Sequence, residues 1–219
     1  MNDILELFAP LWRGTQVTLQ LFTITLALSL PLGLLLALAR ISRLPVLPSL
    51  VSGYVWLMRG TPLMLQLLFI YYALPFLSIG GYSLKLEDYP SAVVAFTLNY
   101  GAYFAEILRA GIQGVDRGQF EAAKALGMTY PQTMRRIVLP QMVGRILPPL
   151  SNETITLVKD TSLIYVLALN DLLRVARGIV QRDFTIVPFV VAAGFYLVMT
   201  LVLTWVFQRL EKHYARYEA

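Results

Sequence analysis

Long uncharged runs alternate with short charged connections along this chain. Thr15 to Ala39, Gly60 to Leu84 and Phe184 to Phe207 contain no Asp, Glu, Lys or Arg, and each meets the roughly 20-residue length that a helix needs to cross a bilayer. Pro90 to Ala105 is a shorter fourth run, and Leu147 to Leu169 is long enough for a fifth although it carries Glu153, Lys159 and Asp160. The pattern predicts five transmembrane helices in one membrane domain, hence an all-α integral membrane protein. Within it, helix one is expected to end in the Arg40 to Pro48 turn and helix two to begin near Gly53. Pro62 frees a backbone carbonyl and should kink helix two. Ser78 to Asp88, with Gly80-Gly81, reads as a turn, and residues 2–14 as a short interfacial helix with Trp12 at headgroup level.

The charged stretch Glu121 to Pro140 interrupts this apolar pattern with a helix-turn-helix. Glu121 to Leu126 favours a helix, and Gly127 stands where a left-handed C-terminal cap would end it. Thr129 and Gln132 have capping-box spacing, and Pro131 fits the first turn of a second helix expected to stop at Pro140. Ala122, Ala123 and Ala125 give small faces that another protein could approach closely.

Composition reinforces the membrane reading, since 57% of the 219 residues are hydrophobic and 14% charged. One soluble domain cannot hide that much apolar surface. The chain has no cysteine and one histidine, His213, which leaves no disulfide, no thiolate metal site and no expected metal ligand set. The acidic start Met-Asn-Asp-Ile-Leu-Glu is unlike the basic start of a cleaved signal. With the N-terminus outside, twelve Lys and Arg fall in cytoplasmic connections against five outside, so N-out, C-in topology is expected. Topology thus accounts for the net charge of +5, with no need for nucleic-acid binding.

Charged groups within a span cost about 2.5 to 3.5 kcal/mol each on insertion scales and face a cavity or a partner. Glu153 and Asp160 are seven residues apart, within about 20° of each other round a helix, with Thr156 on the same stripe and Asn152 at its border. If Pro148-Pro149 starts this helix, Asp160 lies about 18 Å further, near mid-membrane, where transporters bind substrate. The alternative is a structural network in which Lys159 or an arginine neutralises these carboxylates. Asn99, Tyr103 and Glu106 form a second stripe. Glu106 is better read as a local partner of Arg109, and Tyr71-Tyr72 as an interfacial pair.

The stretch Glu121-Ala122-Ala123, three residues, Gly127, nine residues, Ile137, one residue, Leu139-Pro140 resembles the EAA loop of ABC-importer permeases. Arg59-Gly60-Thr61-Pro62 with Leu63 to Gln66, Asn99 to Ile112 and Leu157 to Leu163 are similar to helix segments of the polar amino acid permeases in that family. The resemblance runs from about Thr15 to Phe207. It implies a type-1 ABC importer permease fold in the cytoplasmic (inner) membrane of a prokaryote, with a permease domain over 15–207, a coupling loop at 115–140 and a cytoplasmic tail at 208–219. It also implies a second permease, identical or homologous, two cytoplasmic ABC ATPase subunits and an extracytoplasmic amino acid-binding protein. Glu121, Ala122, Ala123, Gly127, Ile137, Leu139 and Pro140 would couple to the ATPase. Glu153, Asp160, Asn99, Tyr103, Thr156, Asn152 and Gln66 are the candidate substrate residues.

The chain lacks a glycine-rich phosphate loop ending in Lys-Ser or Lys-Thr. It is therefore expected to be no enzyme and to hold no cofactor, ATP and Mg belonging to the partner ATPase. Two acidic groups favour arginine, lysine or histidine as substrate. Glutamine or another neutral polar amino acid is favoured if Lys159 neutralises Asp160. A non-transporting scaffold and a membrane-embedded hydrolase are the rivals from other classes, the hydrolase lacking any nucleophile beside its carboxylates.

Overall fold

The computed structural model describes residues 2–79 and 82–214. Helix α1 (Asn2–Arg40) runs through 39 residues without a break, so residues 2–14 continue directly into the first apolar run and form no separate helix. Gly14 allows close packing there: a Cβ on it would lie 2.9 Å from the Leu172 Cα. Helix α2 (Leu47–Gly60) begins earlier than Gly53, with Pro48 in its first turn, where a missing N–H costs nothing.

A break follows, and α3 (Leu63–Ala73) leaves at 105° to α2. The run from Gly60 to Leu84 is therefore not one straight helix. It finishes in a 3-10 turn at Leu74–Phe76 and a hairpin of β1 (Ser78–Ile79) and β2 (Tyr82–Ser83), paired Ser78 to Ser83 and Ile79 to Tyr82. The Gly80-Gly81 tip lies outside the described residues.

Helix α4 (Asp88–Gln113) is 26 residues long, well beyond its uncharged stretch. Its charged C-terminal end is accommodated because Glu106 pairs with Arg109, as the spacing suggests, and also with Arg40 of α1. Arg40 Nε donates in turn to Ser52 Oγ of α2 at 3.0 Å, which joins three helices. Helices α1 and α4 cross closely at two glycines. A Cβ at Gly33 would come within 3.0 Å of the Ala105 backbone, and one at Gly101 within 2.7 Å of Leu32. Small residues permit such approach where apolar burial itself drives little association.

Helices α5 (Arg117–Ala125) and α6 (Tyr130–Thr133) form the charged segment. A π turn at Met134–Val138 then leads directly into α7 (Leu139–Asp160), so the second helix does not stop at Pro140. The Leu139 N–H bonds the Met134 carbonyl five residues back. The wider turn accommodates the Pro140 ring, which would otherwise press on the carbonyl four residues before it. Pro148 and Pro149 lie inside α7 and do not start it. A 3-10 segment, Thr161–Leu167, continues to Ala168 in a left-handed conformation.

Helix α8 (Leu172–Asp183) occupies what the sequence pattern suggested was a loop. Asp171 caps it, accepting from the Leu173 and Arg174 N–H groups at 3.0 and 3.1 Å, while Leu172, Ala176 and Ile179 form its buried stripe. Helix α9 (Val187–Tyr214) completes the described chain; residues 215–219 of the expected tail lie outside it. Among the described residues, α1, α4 and α9 are long and apolar enough to cross a membrane, with α2 and α3 as a bent fourth. Helix α7 has 22 residues but carries Arg145, Glu153, Lys159 and Asp160.

Burial raises the Asp171 carboxyl from 3.8 to about 6 against the opposing effect of the two backbone N–H groups and Arg174; the Tyr196 hydroxyl faces it from α9. A raised folded-state value means that the folded protein binds the proton more tightly than the unfolded chain, so stability falls as pH rises from about 4 to about 6. Asp171→Asn keeps a cap acceptor without the charge. Its unfolding midpoint relative to the parent protein should rise across that window in thermal scans and stay constant above it. A difference independent of pH would rule this out.

Candidate substrate cavity and docking segment

The break between α2 and α3 originates in Thr61-Pro62. A residue before proline is driven to extended backbone, and Thr61 sits at φ −119°, ψ 147°. The freed carbonyls at the end of α2 are taken up by side chains. Thr61 Oγ1 donates to Leu57 O at 2.8 Å, Gln66 Nε2 to Met58 O at 2.9 Å, and Asn99 Nδ2 to the same Met58 O at 3.1 Å. Asn99 also donates to Gln66 Oε1 at 3.0 Å. Gln66 and Asn99 thus splint the break, which fixes the backbone of residues 60–64 as one wall of a cavity of about 690 Å³.

The opposite wall belongs to α4 and α7, and it gathers Asn99, Tyr103, Glu153, Thr156 and Asp160 around one space. Tyr100 donates its hydroxyl to Asp160 Oδ2 at 2.8 Å. Thr156 donates to the Asn152 carbonyl at 2.9 Å, so the Asn152 backbone supports this wall while its exposed side chain lies outside the cavity. Gln66 is likewise absent from the lining. Lys159 is exposed and outside it too. The cation that does enter is Arg59, 5.3 Å from the centre of the Tyr103 ring.

Two carboxylates, Glu153 and Asp160, and one guanidinium, Arg59, thus line the same space. The first N–H groups of α3, which no side chain caps, belong to residues of the same lining, Leu63 and Met64, and carry the positive end of the helix dipole. The lining thus combines Arg59 and a helix N-terminus at the break with two carboxylates carried by α7. A smaller space of about 290 Å³, sharing Arg59, Tyr103 and Glu153, extends past Glu106 and Arg145 toward the charged segment. Sequence reasoning did not count Arg59 or Tyr100 among the candidate substrate residues, although both stand in segments that carry the family resemblance, Arg59 to Gln66 and Asn99 to Ile112.

The charged segment is capped as its residues suggest. Asp116 accepts from the Gly118 N–H at 2.6 Å to start α5. Gly127 takes φ +71°, with its N–H on Lys124 O and the Met128 N–H on Ala123 O, both at 3.0 Å, a Schellman closure. The Thr129 N–H donates to Gln132 Oε1 at 2.9 Å, half of the capping box. Glu121, Ala122, Gly127 and Leu139 are exposed, Ile137 and Pro140 partly so, and Ala123 is buried. Only Ala122 and Ala125 of the three alanines therefore present a small outer face. Leu126 and Tyr130, 79% and 70% exposed, add a large apolar surface on either side of Gly127. Gln141 Nε2 donates to Gln119 Oε1 at 3.2 Å, which ties α5 to α7. Among the described residues no group of three or more His, Cys, Asp or Glu could hold a metal ion.

The chain is 39% identical over 208 residues to an L-cystine transport system permease protein of Bacillus subtilis, covering 94% of this chain and 87% of that one. It is 37% identical over 201 residues to a putative glutamine transport system permease protein of Rickettsia typhi, covering 91% and 90%. A crystal structure described as an amino acid ABC transporter with histidines superposes with a TM-score of 0.85 at 34% identity, covering 96% of this chain and 97% of that one. Residues 29–216 match the family described as binding-protein-dependent transport system inner membrane component. The chain belongs to that family, as the permease subunit of an amino acid ABC importer, a transport component and not an enzyme.

Proposed function

We propose that this permease carries a basic amino acid, arginine before lysine or histidine, through the cavity between the α2/α3 break and α7. The observation that carries the reading is the joint placement of Glu153, Asp160 and Arg59 in the lining of one cavity. An amino acid has a carboxylate for Arg59 and the α3 N-terminus, and a cationic side chain supplies a second positive group for the second carboxylate. A guanidinium matches a carboxylate through two parallel hydrogen bonds, which favours arginine. Asn99 and Tyr103 line the path, although the Asn99 amide nitrogen is held by the break.

Arg59 also supports a second reading. If it neutralises Glu153 permanently, Asp160 alone remains for the α-ammonium group, and glutamine or another neutral polar amino acid fits. Relatives are named for cystine and glutamine, and another, 36% identical over 201 residues, is an arginine transport system permease protein of Bacillus subtilis, so kinship leaves both readings open. Competition for uptake separates them. Excess lysine should suppress arginine uptake strongly, and glutamine little; equal suppression by glutamine favours the second reading.

The rest of the machine is proposed from the family and from the bias of basic residues along the chain. Five spans with N-out, C-in topology place residues 115–140 in the cytoplasm of a prokaryotic cell, against two ABC ATPase subunits that supply ATP and Mg. A second permease, identical or homologous, completes the membrane part, and an amino acid-binding protein delivers substrate outside. Closure of the ATPases would move α5, and α7, rising about 30 Å from Pro140 to Asp160, would carry that motion to the cavity and reverse its access. For the topology, a cysteine at exposed Phe184 should react with an impermeant thiol reagent from outside, and one at Gln119 only from inside. Gly81, a natural outer site, lies outside the described residues. The reverse labelling would detach the charged segment from any cytoplasmic partner.

A further inference from the structure

A second cavity, of about 730 Å³, lies at the end of α4 opposite the docking segment. Tyr71 and Tyr72 of α3, Tyr89 of α4 and the charged side chains of Lys85, Glu87 and Asp88 line it, with Leu169 behind the 3-10 segment that follows Asp160. The Tyr71 hydroxyl is hydrogen-bonded to Asp88, and the Tyr71 and Tyr72 rings meet edge to face with centres 4.8 Å apart. The Tyr89 hydroxyl is buried and has no hydrogen-bond partner.

The elements that line this cavity also line the central one. Along α3, Met64 faces the central cavity and Tyr71 the outer one, about 10 Å apart on the helix axis. Along α4 the pair is Tyr100 and Tyr89, and after α7 it is Leu163 and Leu169. Between the two levels each element contributes a fully buried apolar side chain to one cluster: Leu67, Phe96 and Ile164. All three are fully buried and, in sequence, fall between the residues that line the two cavities.

We infer that Leu67, Phe96 and Ile164 close a path between the two cavities, and that the outer one is a second amino acid site, a waiting station for the cationic group of the transported molecule before this septum opens. Aromatic rings attract a cation over their faces, and Glu87 and Asp88 supply charge, while Lys85 is available to the carboxylate. The site is more open than the central one, since Tyr72 is 59% exposed, so it binds more weakly, by about tenfold or more. The inference rests on the proposed transport of a basic amino acid through the central cavity.

The test is equilibrium binding of radiolabelled L-arginine to the purified permease assembled with its ATPase, without nucleotide. Two classes of site per permease chain are expected. Asp88→Asn should remove the weak class and keep the tight one, which also shows that the variant is folded, and Asp88→Glu should restore it. Asp160→Asn should do the converse. A single class, lost in Asp160→Asn and unchanged in Asp88→Asn, overturns the outer site and leaves the central reading intact. A complex that binds glutamine but not arginine at either level overturns both. If Asp88→Asn leaves both classes intact and weakens only the response to the loaded binding protein, the cavity is a docking patch for that protein and the inference is wrong.

Discussion

Gly127→Trp should leave the permease inserted and assembled in the membrane while cutting transport-coupled ATP hydrolysis by about tenfold or more. The reasoning starts from the backbone. Gly127 is at φ +71°, a region that side chains other than glycine and asparagine rarely adopt, yet a Cβ there would meet nothing within 4 Å. The chain itself therefore gains no clash, and the strain of about 1 to 2 kcal/mol is too small to unfold a membrane domain. The open space lies beside Leu126 and Tyr130, where a docked partner would sit, and a bulky side chain would hold that partner off. Gly127→Asn tolerates the left-handed backbone and should lose much less. Unchanged coupled hydrolysis in the tryptophan variant, measured on the reconstituted complex, would count against a docking role for residues 115–140.

The second large effect concerns charge in the central cavity. Glu153→Gln and Asp160→Asn preserve size, and the asparagine oxygen can still accept from Tyr100, so folding should survive. Each change removes a charge-assisted hydrogen bond to the ligand, worth about 1.5 to 3 kcal/mol, and a factor of ten corresponds to about 1.4 kcal/mol. Uptake of arginine should therefore fall by about 10- to 100-fold in each variant, and Asp160→Asn should shift preference toward glutamine. Arginine uptake equal to that of the parent protein in both variants, with coupling intact, would remove the cationic-site reading.

How much of this was readable in the chain differs from element to element. The long apolar runs gave α1 and α9, and Pro62 gave the break, because length and a missing N–H act locally. The caps at Gly127 and Thr129 were legible for the same reason. Pro140 misled because a proline stop can be absorbed by a π turn, and Pro148-Pro149 misled because a continuous helix can carry them. Helix α8 was read as a loop, although Asp171 and the spacing of Leu172, Ala176 and Ile179 announce it, since its three arginines weighed as topology signals. Glu153, Asp160 and Thr156 share one face by simple periodicity. Their meeting with Arg59, by contrast, depends on how α2 turns at Thr61, and Gln66 turned out to serve the break; no spacing within one helix encodes either contact.

The most direct measurement is ATP hydrolysis by the permease reconstituted in liposomes with its cognate ATPase and amino acid-binding protein, titrated with arginine and, separately, glutamine. Arginine should stimulate hydrolysis several-fold in the parent protein, glutamine much less, and the Glu153→Gln, Asp160→Asn double variant should respond to neither. Equal stimulation by the two amino acids, or a double variant that still responds fully to arginine, would contradict the assignment of the cavity.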